Sequence, residues 1–502
     1  MDYPEKVLDL HTHMFNARYL PLEGIIAHAM GKKTSKLARG VAKLVVYLTG
    51  SSYKSERKNV KIFKSEAKKN DFFLSELWAI TEYELLLTAQ STNLDMNTLS
   101  GDKLSILSNP DLDRITRSSL VEIINELANI DYAKEGFIDG KSSLAAINIK
   151  NVKNPKKLFG FAKKIVMQAF RAISALMDPY AWGKAENYLE FLYTMIKSER
   201  STAKKVLRSY KSKKYGNIEV LHMMMDMHKA YNGSMSPAYD FFPAQISRMQ
   251  QLQRDFPGNI LGMSAFDPRR KNWQEIADHS IASGLLGFKF YPAMEYKPSG
   301  NKDPVIQDRI DKFFDYCVSQ DIPIFTHCTP FGFQTINKLG HYAHPKYWEK
   351  VLEDKRWEKL RICFGHAGGA DYKNKSGWMA STDKEWQGPD NYAYRVALLC
   401  TTFKNVYCEF GYFTDLIEGP AKTRKSSREL IVKNMHRAIN LPNTKHAFMD
   451  KVAYGSDWHM PSMVDNTRKY LDAFLQLIND EFPENLESFF WMTGNKFLKR
   501  SS

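Results

Sequence analysis

Apolar and polar positions along the chain fall into two textures. Within residues 14–215, apolar side chains recur at three- and four-residue spacing over 37–48, 74–87, 115–130, 158–177 and 187–210, the pattern of amphipathic helices. Asn109-Pro110 and Asp178-Pro179 interrupt them as turns. From residue 216 onward the texture changes. Short apolar runs at 218–225, 260–266, 285–291, 322–326, 360–364, 406–410 and 452–455 alternate with helix-spaced segments. Those segments lie near 244–255, up to 282, and at 304–320, 346–355, 392–403, 429–438 and 465–477. The apolar run at 7–10 supplies an eighth strand. Alternating strands and helices predict a parallel sheet, and eight such units predict an α/β fold, a closed (β/α)8 TIM barrel. An open doubly wound sheet is the alternative. The barrel comprises residues 1–13 and 216–502. Residues 14–215 are then a large, mostly helical insertion after strand one, placed where it would act as a cap.

The polar residues favour closure. His11, His13, Asp267, His327, His366 and Asp457 all fall at or just past the C-terminal ends of predicted strands. Barrel enzymes build their sites on that rim. Strand side chains alternate faces, so His11 and His13 project together from strand one. In a closed barrel strand eight is the neighbour of strand one, which brings Asp457 beside that pair, while His327 reaches in from strand five. Three imidazoles and a carboxylate form a mixed nitrogen and oxygen set suited first to zinc, and also to manganese, iron or nickel. One divalent ion is favoured, with two compatible. His366, in a glycine-rich turn, is a further ligand, a general acid or base, or a histidine satisfied by turn backbone.

Composition narrows the class. With 43% hydrophobic and 25% charged residues, the chain reads as an ordinary globular protein. Asp2 and Glu5 precede a strand-like run rather than a signal-peptide core, and the apolar patch at 41–48 is short and contains Lys43. No membrane association and a cytoplasmic location are expected. The five cysteines, Cys317, Cys328, Cys363, Cys400 and Cys408, have no framework spacing and read as reduced, buried thiols. The net charge is +15, with basic runs at 31–70 and 204–214. Without a nucleic-acid-binding motif, a solvated helical surface is the favoured reading over nucleic-acid binding. The same charge would steer an anionic small-molecule substrate. A homo-oligomer is compatible with all of this.

Together the His11-Thr12-His13 motif, the strand-five histidine His327, the segment RICFGHAGG around His366 and the segment YGSDW around Asp457 resemble the amidohydrolase superfamily. They are most similar to its amidohydrolase-related branch of metal-dependent hydrolases and of aminocarboxymuconate-semialdehyde and resorcylate decarboxylases. The resemblance covers residues 6–13 and about 216–498, including Thr493-Gly494-Asn495, and leaves out 14–215. With ten residues before His11, no β-sandwich is expected ahead of the barrel. The resemblance implies that His11, His13, His327 and Asp457 bind metal, that His366 acts as a base in decarboxylase-like members, and that Asp457 also moves protons in hydrolases.

Lys289 stands between Phe288 and Phe290 and is expected to point inward. It reads as a substrate-binding residue, as a carboxylated bridge between two ions, or as half of a structural ion pair, with Glu409 one available partner. Arg269, in Asp267-Pro268-Arg269, is a candidate for gripping a substrate carboxylate, against the plainer reading of a turn. His459 is a candidate substrate or outer-sphere contact. His341 and His344, before Pro345, read as helix-start structure, and Asp226 ends strand two without a specific role. The leading expectation is a metal-dependent hydrolase that activates water to cleave an amide, lactone or ester. A non-oxidative decarboxylase of an unsaturated or aromatic acid is the alternative, and a non-enzymatic binding protein using the basic insertion is a third.

Overall fold

The computed structural model describes residues 2–14, 16–29, 39, 42, 194, 197–210, 217–227, 229–230, 242–335, 337–371, 374–458, 461 and 466–500. Apart from Arg39 and Ala42, the helices expected at 37–48, 74–87, 115–130 and 158–177 lie outside these residues, as do most of the basic run at 31–70 and His459. The chain divides into two compact units. One comprises Met1–Met14, Ala203–Asp226 and Phe241–Ser502; the other comprises Phe15–Thr202 and Met227–Asp240. In the second unit the helix Leu22–Ala29 is described, and its buried Glu23 accepts from the Arg39 guanidinium at 3.2 Å.

The first unit is a TIM barrel. Its strands are β1 (Lys6–Thr12), β2 (Asn217–Met223), β3 (Ile260–Phe266), β4 (Phe288–Phe290), β5 (Ile324–His327), β6 (Ile362–Gly365), β7 (Val406–Glu409) and β8 (Val452–Ala453). They pair in parallel in chain order. Backbone bonds close the ring between its first and last staves: Leu10 N–H donates to Tyr454 O at 3.1 Å and Asp457 N–H to His11 O at 2.7 Å. Closure leaves this sheet no free edge. A short hairpin, Ala370–Asp371 with Ser376–Gly377, lies outside the ring.

The strand alternation of period two sorts the side chains. Phe288 and Phe290 face outward, where they pack on Phe313 and on Trp348 of the surrounding helices. Lys289, between them, faces inward. It sits level with Phe325 and Cys363 across β4, β5 and β6. Leu8, Leu221, Met263, Phe325, Cys363 and Phe497 belong to one apolar cluster beneath the site.

β1 departs from simple alternation. Its register against β2 shifts between Asp9 and Thr12. The His11 N–H then donates to the Asp9 carboxylate at 3.0 Å instead of joining the ladder. Such a bulge re-aims the residues that follow it.

Several element ends differ from expectation. β4 covers only Phe288–Phe290, although Leu286 N–H and Gly287 O already bond to β3 at 2.8 and 2.9 Å. The helix expected at 429–438 spans Ala421–Ile439, because its lysine- and arginine-rich first turns are largely exposed and carry no apolar periodicity. All five cysteines are free and buried, as expected. Among the described residues, no helix is long and apolar enough to cross a membrane.

Candidate metal centre

Four imidazoles meet inside the C-terminal rim of the barrel. β1 delivers His11 and, immediately after its end, His13; β5 ends in His327; His366 opens the turn after β6. All four are buried. Their rings form a chain, with centroids 5.1 Å apart for His13 and His11, 4.8 Å for His11 and His366, and 4.9 Å for His366 and His327. His366 and Asp457 both adopt left-handed backbone, at φ 60° and 54°. Non-glycine residues hold that conformation at a cost of roughly 1–3 kcal/mol, met only where surrounding structure enforces it.

The outer nitrogen of every ring is engaged. His13 Nδ1–H donates to Met223 O at 2.8 Å, His327 Nε2–H to Phe331 O at 2.8 Å, and His366 Nδ1–H to Gly411 O at 3.1 Å. A carbonyl oxygen only accepts, so these bonds fix each tautomer. His11 Nδ1–H is held at 2.7 Å by the Glu409 carboxylate. The inner nitrogens are therefore turned toward one another as lone-pair acceptors, with Lys289 Nζ 3.2 Å from that of His11. His11 Nε2 and His13 Nε2 are 3.2 Å apart, and so are His327 Nδ1 and His366 Nε2. Facing lone pairs repel unless a cation lies among them. Two nitrogens on one tetrahedral ion, each at about 2.0–2.1 Å, stand roughly 3.3 Å apart. The donor set thus fits a divalent cation.

Two further groups complete the centre. Asp457 Oδ1 lies 3.9 Å from His13 Nε2. The ligand atoms of His11, His13 and Asp457 are mutually within 4.8 Å, as are those of His11, His366 and Glu409. Lys289 Nζ stands 3.2 Å from His11 Nε2 and 4.4 Å from the centre of the Phe325 ring.

Electrostatics keep His11, His327 and His366 neutral, as ligands must be. Burial, then the Lys289 cation, pull His11 well below the ordinary histidine range. Burial, then His366 and Lys289, do the same to His327. His366 falls to about 3, chiefly by burial and then by Lys289. Burial lowers Lys289 to about 8 against the pull of Asp457 and Glu409, and raises Asp457 to about 7 against the pull of Lys289.

The remaining candidates lie elsewhere or are occupied. The Arg269 guanidinium forks onto Asp267, with Nε to Oδ1 at 2.9 Å and a second nitrogen to Oδ2 at 2.6 Å. Arg270 pairs in the same way with Asp226. His341 lies in the short helix Gly340–Ala343, and His344 Nδ1 accepts from Lys346 N–H at the start of the next helix.

Sequence reasoning missed Asp9 altogether and weighed Glu409 only as a partner for Lys289. The buried Asp9 carboxylate receives His11 N–H, Ser456 N–H at 2.8 Å, Ser456 Oγ–H at 2.6 Å and the Tyr210 hydroxyl. It stitches the β1 bulge to the segment after β8. The available signal was a carboxylate within an otherwise apolar strand, in the run Val7-Leu8-Asp9-Leu10.

Residues 267–500 match the family profile described as amidohydrolase. No curated protein matches the chain. Three solved structures are remotely similar to the chain. A probable 2-pyrone-4,6-dicarboxylic acid hydrolase from Acinetobacter baumannii is 13% identical over 60% of this chain and 88% of its own, with a TM-score of 0.38. A 2,6-dihydroxybenzoate decarboxylase from Rhizobium is 12% identical over 62% and 92%, with a TM-score of 0.38. An amidohydrolase from Burkholderia multivorans with bound zinc is 12% identical over 64% and 96%, again with a TM-score of 0.38.

Proposed function

We propose, from the premise that residues 267–500 form an amidohydrolase-family domain, that this chain is a divalent-metal-dependent hydrolase. It adds water across an amide, lactone or ester bond of a small substrate. One observation carries the reading: four buried imidazoles, each tied by its outer nitrogen, turn their inner nitrogens toward one another beside a carboxylate. His11, His13, His327 and Asp457 would hold the ion, zinc in the first place. When bound, it supplies Lewis acidity, polarising a substrate oxygen and lowering the pKa of water.

The chain's own groups do the rest. Asp457, raised toward neutrality by burial, takes a proton from water as the water oxygen joins the acyl carbon. That proton passes to the leaving nitrogen or oxygen as its bond to carbon breaks. His366, neutral and with its Nε2 unprotonated, is placed as a second proton acceptor. Lys289, at the floor of the centre, presents a cation to the anionic part of the substrate or to negative charge developing on the attacked carbonyl. One ion is the proposed occupancy. Arg269, a candidate for holding a substrate carboxylate, is paired with Asp267.

The test is elemental analysis of protein purified without chelators, with His11→Ala and Lys289→Ala in parallel. Turnover of a lactone, ester and amide panel in 18O-labelled water follows. We expect about one ion per chain, lost in His11→Ala and kept in Lys289→Ala, and one 18O in the product carboxylate. No ion after reconstitution with zinc or manganese would overturn the reading. Release of carbon dioxide from a carboxylic acid, without label in the product, would replace hydrolysis by decarboxylation.

A further inference from the structure

We propose that Glu409 is a positioning residue that locks His11 in the tautomer and orientation able to bind a cation, and that the surrounding backbone is shaped to seat its carboxylate. The inference rests on the metal-centre reading above and adds to it the residue that sets how tightly the ion is held.

The first support is what Glu409 touches. It is the last residue of β7, and its side chain is fully buried. One oxygen, Oε1, receives both His11 Nδ1–H and the backbone N–H of His366, each at 2.7 Å. A single atom therefore ties a ligand from β1 to the turn after β6 that carries another. Gripping Nδ1–H turns Nε2 toward the centre as an acceptor. Burial pulls Glu409 toward its neutral form, and the His366 N–H and the Lys289 cation oppose that. With its charge retained, the carboxylate makes the Nε2 lone pair a stronger donor.

The second support is the space around the carboxylate. Gly411 and Gly455 both flank it, and neither has left-handed backbone, so an L-residue's conformation is allowed at each. Room is what they provide. A Cβ on Gly411 would come within 2.6 Å of Glu409 Oε2 and 3.1 Å of His11 Nδ1. A Cβ on Gly455 would collide with Oε2 and lie 2.8 Å from the carboxyl carbon and 3.1 Å from His11 Cβ. A Cβ at either place requires the carboxylate to shift.

The third support comes from the other oxygen. Oε2 is buried and has no hydrogen-bond partner in the protein. A brace needed only to accept two N–H groups would be met by a neutral amide, without burying a half-satisfied carboxylate. Nor is Glu409 simply a counter-ion for Lys289. The two attract, but among the described residues no direct ion pair joins them, and Lys289 stands at the opposite nitrogen of the same His11 ring.

The experiment compares zinc affinity of the wild-type chain and Glu409→Gln by competition with a chromophoric chelator. Circular dichroism and the urea midpoint monitor the fold, and the visible spectrum of the cobalt-substituted protein reports the ligand field. Glutamine keeps an acceptor for both N–H groups and removes the charge. We expect zinc to bind about 10–100-fold more weakly with the same stoichiometry at saturation, an unchanged midpoint and a shifted cobalt band. Equal zinc affinity in a folded Glu409→Gln protein overturns the inference and leaves the metal-centre reading standing. If Glu409→Gln does not fold, Gly411→Ala decides by the same measurement, with weakened binding expected and unchanged affinity overturning. A wild-type chain that takes up no zinc overturns both.

Discussion

His222→Asn tests how the strand end bearing the two histidines is held. His222 pairs with Thr12 across β1 and β2 and is buried, and its Nδ1 accepts from Met14 N–H at 2.9 Å. That bond fixes the backbone immediately after His13. It also requires a neutral ring, since protonating Nδ1 would destroy the acceptor. Burial lowers this histidine from 6.5 to about 4, with only a backbone bond to Thr12 opposing. The sign follows. Because the folded value is depressed, the unfolded chain binds the proton first, so stability is intact above about pH 6.5. It falls as pH drops from there to about 4, and then levels for this group. At pH 5 the unfolded ring is protonated and the folded ring is not. The gap of about 1.5 pH units, at 1.36 kcal/mol per unit, removes about 2 kcal/mol. Asparagine keeps an oxygen acceptor for Met14 N–H and does not titrate. Urea unfolding of both proteins at pH 7.5 and pH 5.0, with chelator present, gives the difference of differences. The wild-type chain should lose about 2 kcal/mol more than His222→Asn over that interval. Equal losses would refute the reasoning, because no other titrating group differs between the two proteins.

Two further substitutions address the groups around the centre. Ser456→Ala removes the 2.6 Å hydroxyl bond to the buried Asp9 carboxylate and leaves that oxygen to Tyr210 alone. It should lower the unfolding free energy by about 1.5–3 kcal/mol, read from the urea midpoint, and a change within error would mean that Asp9 does not depend on it. Arg269→Ala should lower stability by releasing Asp267 while leaving KM for the hydrolysed substrate within about twofold. A large rise in KM with kcat unchanged would return Arg269 to the substrate.

The barrel and the meeting of its histidines follow from signals that are local in sequence. A short apolar run followed by a helix-spaced segment marks one unit, and His327, His366 and Asp457 sit at unit ends that any closed barrel brings to one rim. Asp9 escaped that logic because the register shift between Asp9 and Thr12 breaks the alternation by which its face would have been assigned. Arg269 stands in the sequence as either a substrate contact or a turn residue, because nothing local says whether a guanidinium folds back on a carboxylate two residues earlier.

The deeper limit concerns the outer nitrogens. Three of the four acceptors that set the histidine tautomers are backbone carbonyls, at Met223, Phe331 and Gly411. Every residue type offers a carbonyl, so no composition or motif announces them; only the folded path of the chain puts them there. The fourth acceptor is the Glu409 side chain, and its seat depends on Gly411 and Gly455 approaching from different parts of the chain. A carbonyl's acceptor strength is the same whatever side chain its residue carries. A carboxylate's is not, since exchange for an amide removes its charge. Of the four rings, His11 is therefore the one whose donor strength a single substitution can change without altering a ligand, and the affinity of the whole centre becomes adjustable at that position.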